Sequence, residues 1–348
     1  MRIDAAMIRT KTAFILGPGA GAELHMPGPA ETLERIAQAL DFSRAGASQM
    51  TRDTAAILRH VAKLAERTGR NEEQLYKAGQ RIHMAAKVSR TIEGVIEQNN
   101  DDTLVEAFGK LAIAVFTLQS EQRSSVRATP QANSVLPLQT GDYWLLELGK
   151  ALTSGLPRDR LDMGLQDVVV VSFGYDRAVE HFLPYVLMTS YGMTLQEAQR
   201  IISARLKIFH PYGSVGPLPW QGGEGASVEW GNEAPWNMAA LSAQIKTSDQ
   251  ALKDRAGLNE LRAAIARSQR LVFLGFDFAP LSLDLMIDGS LSHNPELVLT
   301  MQGLSEPNRA AVLRMLKRKT GNERDDRMLI AEGRCLDVFR DYGLLLES

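Results

Sequence analysis

Thr12–Gly28 reads TAFILGPGAGAELHMPG, and how this stretch folds decides the architecture of the chain. An apolar run, Ala13-Phe14-Ile15-Leu16, leads straight into Gly17-Pro18-Gly19-Ala20-Gly21. From Pro29 onward, Leu33, Ile36, Ala37 and Leu40 recur at the spacing of an amphipathic helix. Strand, glycine turn and helix together offer backbone N–H groups and a positive helix end to a phosphate. The glycines matter because a Cβ keeps a ligand away from the backbone. The plain alternative is an ordinary strand-to-helix turn. No Lys-Ser/Thr pair follows, so this is not a P-loop. A nicotinamide fingerprint of the redox-enzyme kind needs a second strand with an acidic residue roughly 20 residues on. Here the sequence after Leu40 turns helical and stays so for about a hundred residues.

Composition sets the outer limits. The chain has 348 residues, 45% hydrophobic and 23% charged, which is ordinary globular material for one large domain with an insertion, or for two. A net charge of −2 gives no general attraction to nucleic acid or to an anionic membrane. One cysteine, Cys335, excludes an intrachain disulfide framework and a cysteine-based zinc site. The most apolar run, Leu111–Leu118, falls short of the roughly 20 residues of a membrane span. The N-terminus lacks a signal-peptide core, so a cytoplasmic protein is expected.

Further strands are expected at Asp167–Val171, Lys207–His210, Leu271–Leu274, Leu297–Leu299 and Met328–Ile330. The continuous valine run of Val168–Val171 suits a strand buried on both faces. Helices alternate with these strands: near Arg177–Tyr185, after Thr194-x-x-Glu197, over Leu258–Arg267, and between Ser305 and Gly321. The alternation predicts an α/β fold, a Rossmann-like parallel sheet flanked by helices. Amphipathic patterns at Ile57–Ala65 and Leu104–Leu118, the latter capped by Asn100 or Asp101, predict a mostly helical insertion. Ser120–Thr140, with Pro130 and Pro137, reads as a loop. Residues 1–40 and 166–348 are thus expected to form the nucleotide-binding unit, and 41–165 the insertion.

Ligands of open parallel sheets bind beyond the carboxyl ends of the strands. The turns to read are therefore Gly17–Gly21, Ser172-Phe173-Gly174-Tyr175-Asp176-Arg177, His210-Pro211-Tyr212-Gly213-Ser214 and Gly275-Phe276-Asp277-Phe278. All four carry glycine, and three carry an aromatic ring able to cover a base or sugar.

At these turns the chain resembles the sirtuin-like NAD-binding domains, particularly those of bacterial NAD-hydrolysing defence proteins. GPGAGAELHMPGP resembles their phosphate and nicotinamide loop, SFGYDRAVE their Asn-Tyr-Asp segment, HPYGSVG their His-Gly-Ser segment, and FLGFDFAPLSLDLM their adenosine-side loop. CLDVFRDYG resembles their closing helix. The resemblance implies NAD as substrate or bound ligand, no metal, and an NAD glycohydrolase acting in anti-phage defence. It also implies a homo-oligomer or a partner protein of a defence system, with no membrane and no direct nucleic acid contact. Gly17, Gly19 and Gly21 would hold the pyrophosphate, Tyr175 and Asp176 would line the ribose, and Gly275 and Phe276 would lie by the adenosine; Pro18, Ala20, Gly174, Gly213 and Ser214 would also bind the cofactor. The cysteines of the deacetylase zinc module are missing, which argues against protein deacetylation.

The departures lie at the chemistry. The family Asn that positions water at the ribose is Gly174 here, and the family His that acts as base is Tyr212. A tyrosine with its ordinary pKa of about 10 is a poor base at neutral pH. His210, two residues earlier, shares a face with Tyr212 if the strand continues, and either reaches the site or is a buried structural histidine. Asp176 either organises the site or caps the helix near Arg177. Glu180 either pairs with Arg177 or reaches the cleft. The catalytic set expected is thus His210, Tyr212 and Asp176. If it fails, the alternative is an inactive nucleotide- or ADP-ribose-binding or scaffold subunit of a larger defence assembly. His25, in the first loop, either contacts ligand or is exposed. His60 and His83 show no ligand spacing. Trp220, Trp230 and Trp236 form either a lid or a satellite core. Arg314, Lys317, Arg318 and Lys319 complement a helix end.

Overall fold

The computed structural model describes residues 8, 10–42, 50–127, 143–223, 225–321 and 325–347. Six strands form the sheet: β1 (Thr12–Leu16), β2 (Val168–Ser172), β3 (Lys207–Phe209), β4 (Arg270–Leu274), β5 (Glu296–Thr300) and β6 (Met328–Ala331). They lie in the order β3-β2-β1-β4-β5-β6, and every neighbouring pair is parallel. This is a Rossmann-like α/β sheet, and its direction reverses between β1 and β4. Phe14 sits in register with Val170 on one side and Val272 on the other.

The central strands β1 and β4 are buried throughout because helices cover both faces. Alternate residues divide between two cores. Phe14, Leu16, Val170, Val272 and Leu274 pack with the helices Trp144–Thr153, Ala178–Tyr191, Leu195–Arg205 and Cys335–Leu346. Ala13, Ile15, Val171, Leu271 and Phe273 pack with Arg255–Arg267, Pro280–Met286 and Glu306–Thr320.

A third core belongs to helices alone. Pro29–Ala39 joins Arg52–Leu58, Val61–Thr68, Glu72–Ala85, Ile92–Gln98 and Thr103–Arg123 around Ile36, Leu75, Phe108 and Val115. Val215, Met238 and Leu241, from the long segment after β3, complete it. Thr103–Arg123 is long and apolar enough to cross a membrane, but 72% of its most apolar window is buried inside the protein. It is the central helix of this cluster, and its neighbours account for its apolar surface.

Local signals set the ends of these elements. Asp102, not Asn100 or Asp101, caps the long helix by accepting from the Leu104 and Val105 N–H groups. The helix runs on to Arg123, so the expected loop begins later, and Pro130 and Pro137 lie outside the described residues. Thr194 accepts from the Glu197 N–H as expected. Glu197 itself turns to Arg158, 2.7 Å away.

Candidate functional site

The glycine turns after β1 and β4 touch each other. Gly17 N–H donates to Leu274 O at 2.9 Å, and Gly19 N–H to Gly275 O at 2.9 Å. A Cβ on Gly17 would lie 2.4 Å from Gly275 O, and one on Gly275 would lie 2.2 Å from Ala20 N. Gly275 also has φ of +56°, a conformation that favours glycine. These glycines are therefore required by backbone meeting backbone, and the Gly17 and Gly19 amides point to carbonyls of the protein. The Trp144 indole N–H, donating to Ala20 O at 2.9 Å, fixes the short helix Pro18–Ala22 from behind. Gly275→Ala is expected to destabilise the fold by about 2–4 kcal/mol, from left-handed strain plus overpacking. An unchanged urea midpoint would remove this account of the glycines.

Beside the crevice closed by these turns lies a cavity of about 120 Å³ between the sheet and the helical cluster. Pro18, Gly21, Met26 and Pro27 line it from the β1 side, and Phe173, Gly174, Tyr175 and Asp176 from the turn after β2. Ile92, Glu93, Ile113 and Phe116 close it from the helices. A recess of about 20 Å³ shares Gly21, Gly174 and Asp176 with it and is lined also by Glu180. A larger groove of about 1040 Å³ runs along Pro29–Ala39 on the helical cluster, away from the strand-end turns. The 120 Å³ cavity is the candidate site, because polar side chains from the turn after β2 (Tyr175, Asp176) and from the helices (Thr32, Glu93, Thr117, Ser120) converge on it.

Asp176 is the pivot. Its Oδ1 accepts from the Ala178 N–H at 3.1 Å. Its Oδ2 lies 2.6 Å from where a Cβ on Gly174 would be, so the carboxyl occupies space that an Asn at 174 would need. Burial pushes the Asp176 pKa up to about 6 against the Ala178 N–H; Glu121 and Glu180 add to the rise and His210 opposes it.

His210 lies just past β3, and Glu180 in the first turn of Ala178–Tyr191. Nε2 of His210 is 2.7 Å from Glu180 Oε1, and Nδ1 is 3.4 Å from Gly174 O. Both neighbours are acceptors, so only the imidazolium, with a proton on each nitrogen, satisfies them. Burial lowers the His210 pKa, but Glu180 and Asp176 outweigh it, and the net shift is upward. Glu180 therefore pairs with His210, while Arg177 turns elsewhere.

Arg177 is 1% exposed and its partner Glu121 0%. Arg177 Nη2 meets Glu121 Oε2 at 2.5 Å, and Nε meets Oε1 at 3.0 Å. Nη1 donates to Val228 O at 2.6 Å and Gly216 O at 3.2 Å. Gly231 N–H donates to the same carboxylate at 3.0 Å. One ion pair thus ties the long helix, the turn after β2 and the segment after β3 into a unit.

The remaining sequence candidates are placed as follows. Tyr175 donates its phenol proton to Glu93 Oε1 at 2.8 Å; burial first, then Glu93, raises its pKa well above 10. Tyr212 lies beyond the end of β3 and turns away from His210, its hydroxyl 3.3 Å from Ser282 Oγ and its ring edge-on to Phe173. Gly213 donates to His210 O, and Ser214 Oγ accepts from the Gly216 N–H. Phe276 is 5% exposed and packs on Phe173, Phe273 and Phe278 within the core. None of Tyr212, Gly213, Ser214, Gly275 and Phe276 lines the cavity. His25 is exposed and bonded to Ser125 Oγ.

Trp220 and Trp230 pack against the same core, and Trp236 lies at the surface. Trp230 stacks on His181 at 4.3 Å, Trp220 packs against the sheet core, and Trp236 is 79% exposed beside Lys63. His83 bonds Ala37 O, and burial takes the His60 pKa down to about 4. No group of three or more metal-ligating side chains occurs among the described residues.

Sequence reasoning passed over Glu93 and Glu121. Each sits in an ordinary helix, and only a partner from a distant segment distinguishes it. Glu93 even carries a local explanation, an acid in the first turn of a helix. No protein-family model matches this chain, and no curated protein matches it.

Proposed function

We propose that the cavity receives the nicotinamide end of NAD and that the chain hydrolyses the bond between that ring and the ribose, as a sirtuin-like NAD glycohydrolase of the defence type. The observation that carries this reading is Asp176, a carboxyl with a pKa of about 6 in the wall of a cavity of about 120 Å³. An engineered cavity of about 150 Å³ holds benzene, so this one admits a single ring at most, and nicotinamide requires its walls to give. The ribose, diphosphate and adenosine then lie outside the cavity, and the diphosphate is held by groups other than the Gly17 and Gly19 amides.

In the step proposed, water attacks C1′ of the ribose, the C1′–N bond breaks, and nicotinamide leaves with the bonding pair. The water proton passes to the Asp176 carboxylate. With a pKa of about 6 the carboxyl is mostly ionised at pH 7.5 and still basic enough to accept a proton. Asp176 takes the polar place left by the family Asn, and the His210 imidazolium beside it is balanced by the Glu180 carboxylate. The test is nicotinamide release from NAD by purified protein across pH. Activity is expected to fall as pH drops below about 6, where Asp176 takes up its proton. The absence of release in every assembly state removes the enzymatic reading.

Binding without turnover is the second reading, and the orientation of Tyr212 favours it. Its hydroxyl faces Ser282, and burial raises its pKa further, so it is no base for the ribose. In that case NAD and ADP-ribose raise the melting temperature alike and no product forms.

A further inference from the structure

We propose that Glu93, contributed by the helical cluster, makes the cavity selective for a ring bearing a carboxamide over the same ring bearing a carboxylate. The inference rests on the reading of the cavity as a nicotinamide subsite and adds a specificity-determining residue to it.

Two carboxylates, Glu93 and Asp176, line the cavity, and among the described residues no Lys, Arg or His does. The other walls are largely apolar: Met26, Ile113, Phe116 and Phe173 among them. Glu93 Oε1 is held by the Tyr175 phenol. Its Oε2 takes no hydrogen bond from the described residues. Asp176 Oδ1 is engaged by Ala178 N–H, while its Oδ2 likewise takes none from the described residues.

A ligand here meets two carboxylates and the hydroxyls of Thr32, Thr117 and Ser120, and no cation among the described lining residues balances an anion. A carboxamide supplies N–H donors that suit a carboxylate oxygen. A carboxylate in its place would face two like charges across a small, poorly hydrated space, where repulsion is strong. Tyr175 contributes by position: its proton engages one oxygen of Glu93, and both residues line the cavity.

The experiment compares binding of NAD and of nicotinic acid adenine dinucleotide to the full chain, by calorimetry, for the unaltered protein, Glu93→Gln and Glu93→Lys. The unaltered protein is expected to favour NAD by about tenfold or more, since a site built around hydrogen-bonding groups rejects an analogue that cannot pair with them. Glu93→Gln should reduce the preference several-fold, and Glu93→Lys should reverse it. Equal affinity of the unaltered protein for the two dinucleotides overturns the proposal even if neither variant folds, and leaves the nucleotide reading standing. An unchanged preference in folded Glu93→Gln also overturns it. Failure of the unaltered protein to bind either dinucleotide takes down the nucleotide reading together with the proposal.

Discussion

Replacing Glu121 by alanine is expected to lower the unfolding free energy by about 3–5 kcal/mol, the loss typical of removing one partner from a buried ion pair. The change strands the Arg177 guanidinium, 1% exposed, without a countercharge. It also leaves the Arg177 and Gly231 N–H groups without their acceptor. Water cannot easily replace these contacts at a site sealed by the long helix and the segment after β3.

The double change Glu121→Leu with Arg177→Met removes both charges and should recover part of the loss. It cannot recover all of it, because the Val228 and Gly216 carbonyls still lose their donor. Urea unfolding of the single and double variants measures this. A loss below about 1 kcal/mol for the single variant, the range of exposed pairs, would contradict the account. Glu121 also helps to raise the Asp176 pKa, so a folded Glu121→Gln should shift the acid limb of any activity to lower pH.

Asp176→Asn is expected to stabilise the protein while abolishing turnover. The carboxyl ionises near 3.8 in the unfolded chain and at about 6 in the folded one. Below pH 3.8 both states hold the proton and the group is neutral in effect. As pH rises from 3.8 to about 6, the unfolded chain has lost its proton while the folded one still holds it, and folding bears a growing penalty. Above pH 6 the penalty is constant at about 2–3 kcal/mol, since one pKa unit corresponds to about 1.4 kcal/mol.

Asparagine keeps the oxygen that accepts from Ala178 and carries no charge, so it removes the penalty. The gain in melting temperature should be largest at pH 7–8 and should vanish near pH 4. On the catalytic reading, nicotinamide release falls about a hundredfold or more, the usual contribution of a general base. A variant less stable than the parent at pH 7.5 would mean that Asp176 is not held against its ionisation. Stability gained with activity lost is the pattern expected when a fold keeps a strained group for its chemistry.

All six strands were legible in the linear chain. Each is a short apolar run closed by a turn, and strand burial on both faces leaves that mark locally, as in Val168–Val171. The parallel character followed from the alternation with helices. The glycine turn after β1 suggests room for a phosphate. What approaches it was not legible. A missing Cβ is equally useful to a phosphate and to another backbone, and here Gly275 fills the space beside Gly17 and Gly19. Tyr212 was read two residues from His210 on a continuing strand. The strand stops at Phe209, so the two side chains part.

The sequence by itself determined the elements, their apolar faces and the class of sheet, because these depend on residues a few positions apart. Only the tertiary structure decided which strands are neighbours, that Glu180 meets His210, that Glu121 lies under Arg177, and that Glu93 reaches the cavity. A buried charge is tolerated where its partners are, and here those partners lie from 30 to more than 100 residues away along the chain. No local pattern records such a pairing, since its energy exists only once the fold has brought the groups together.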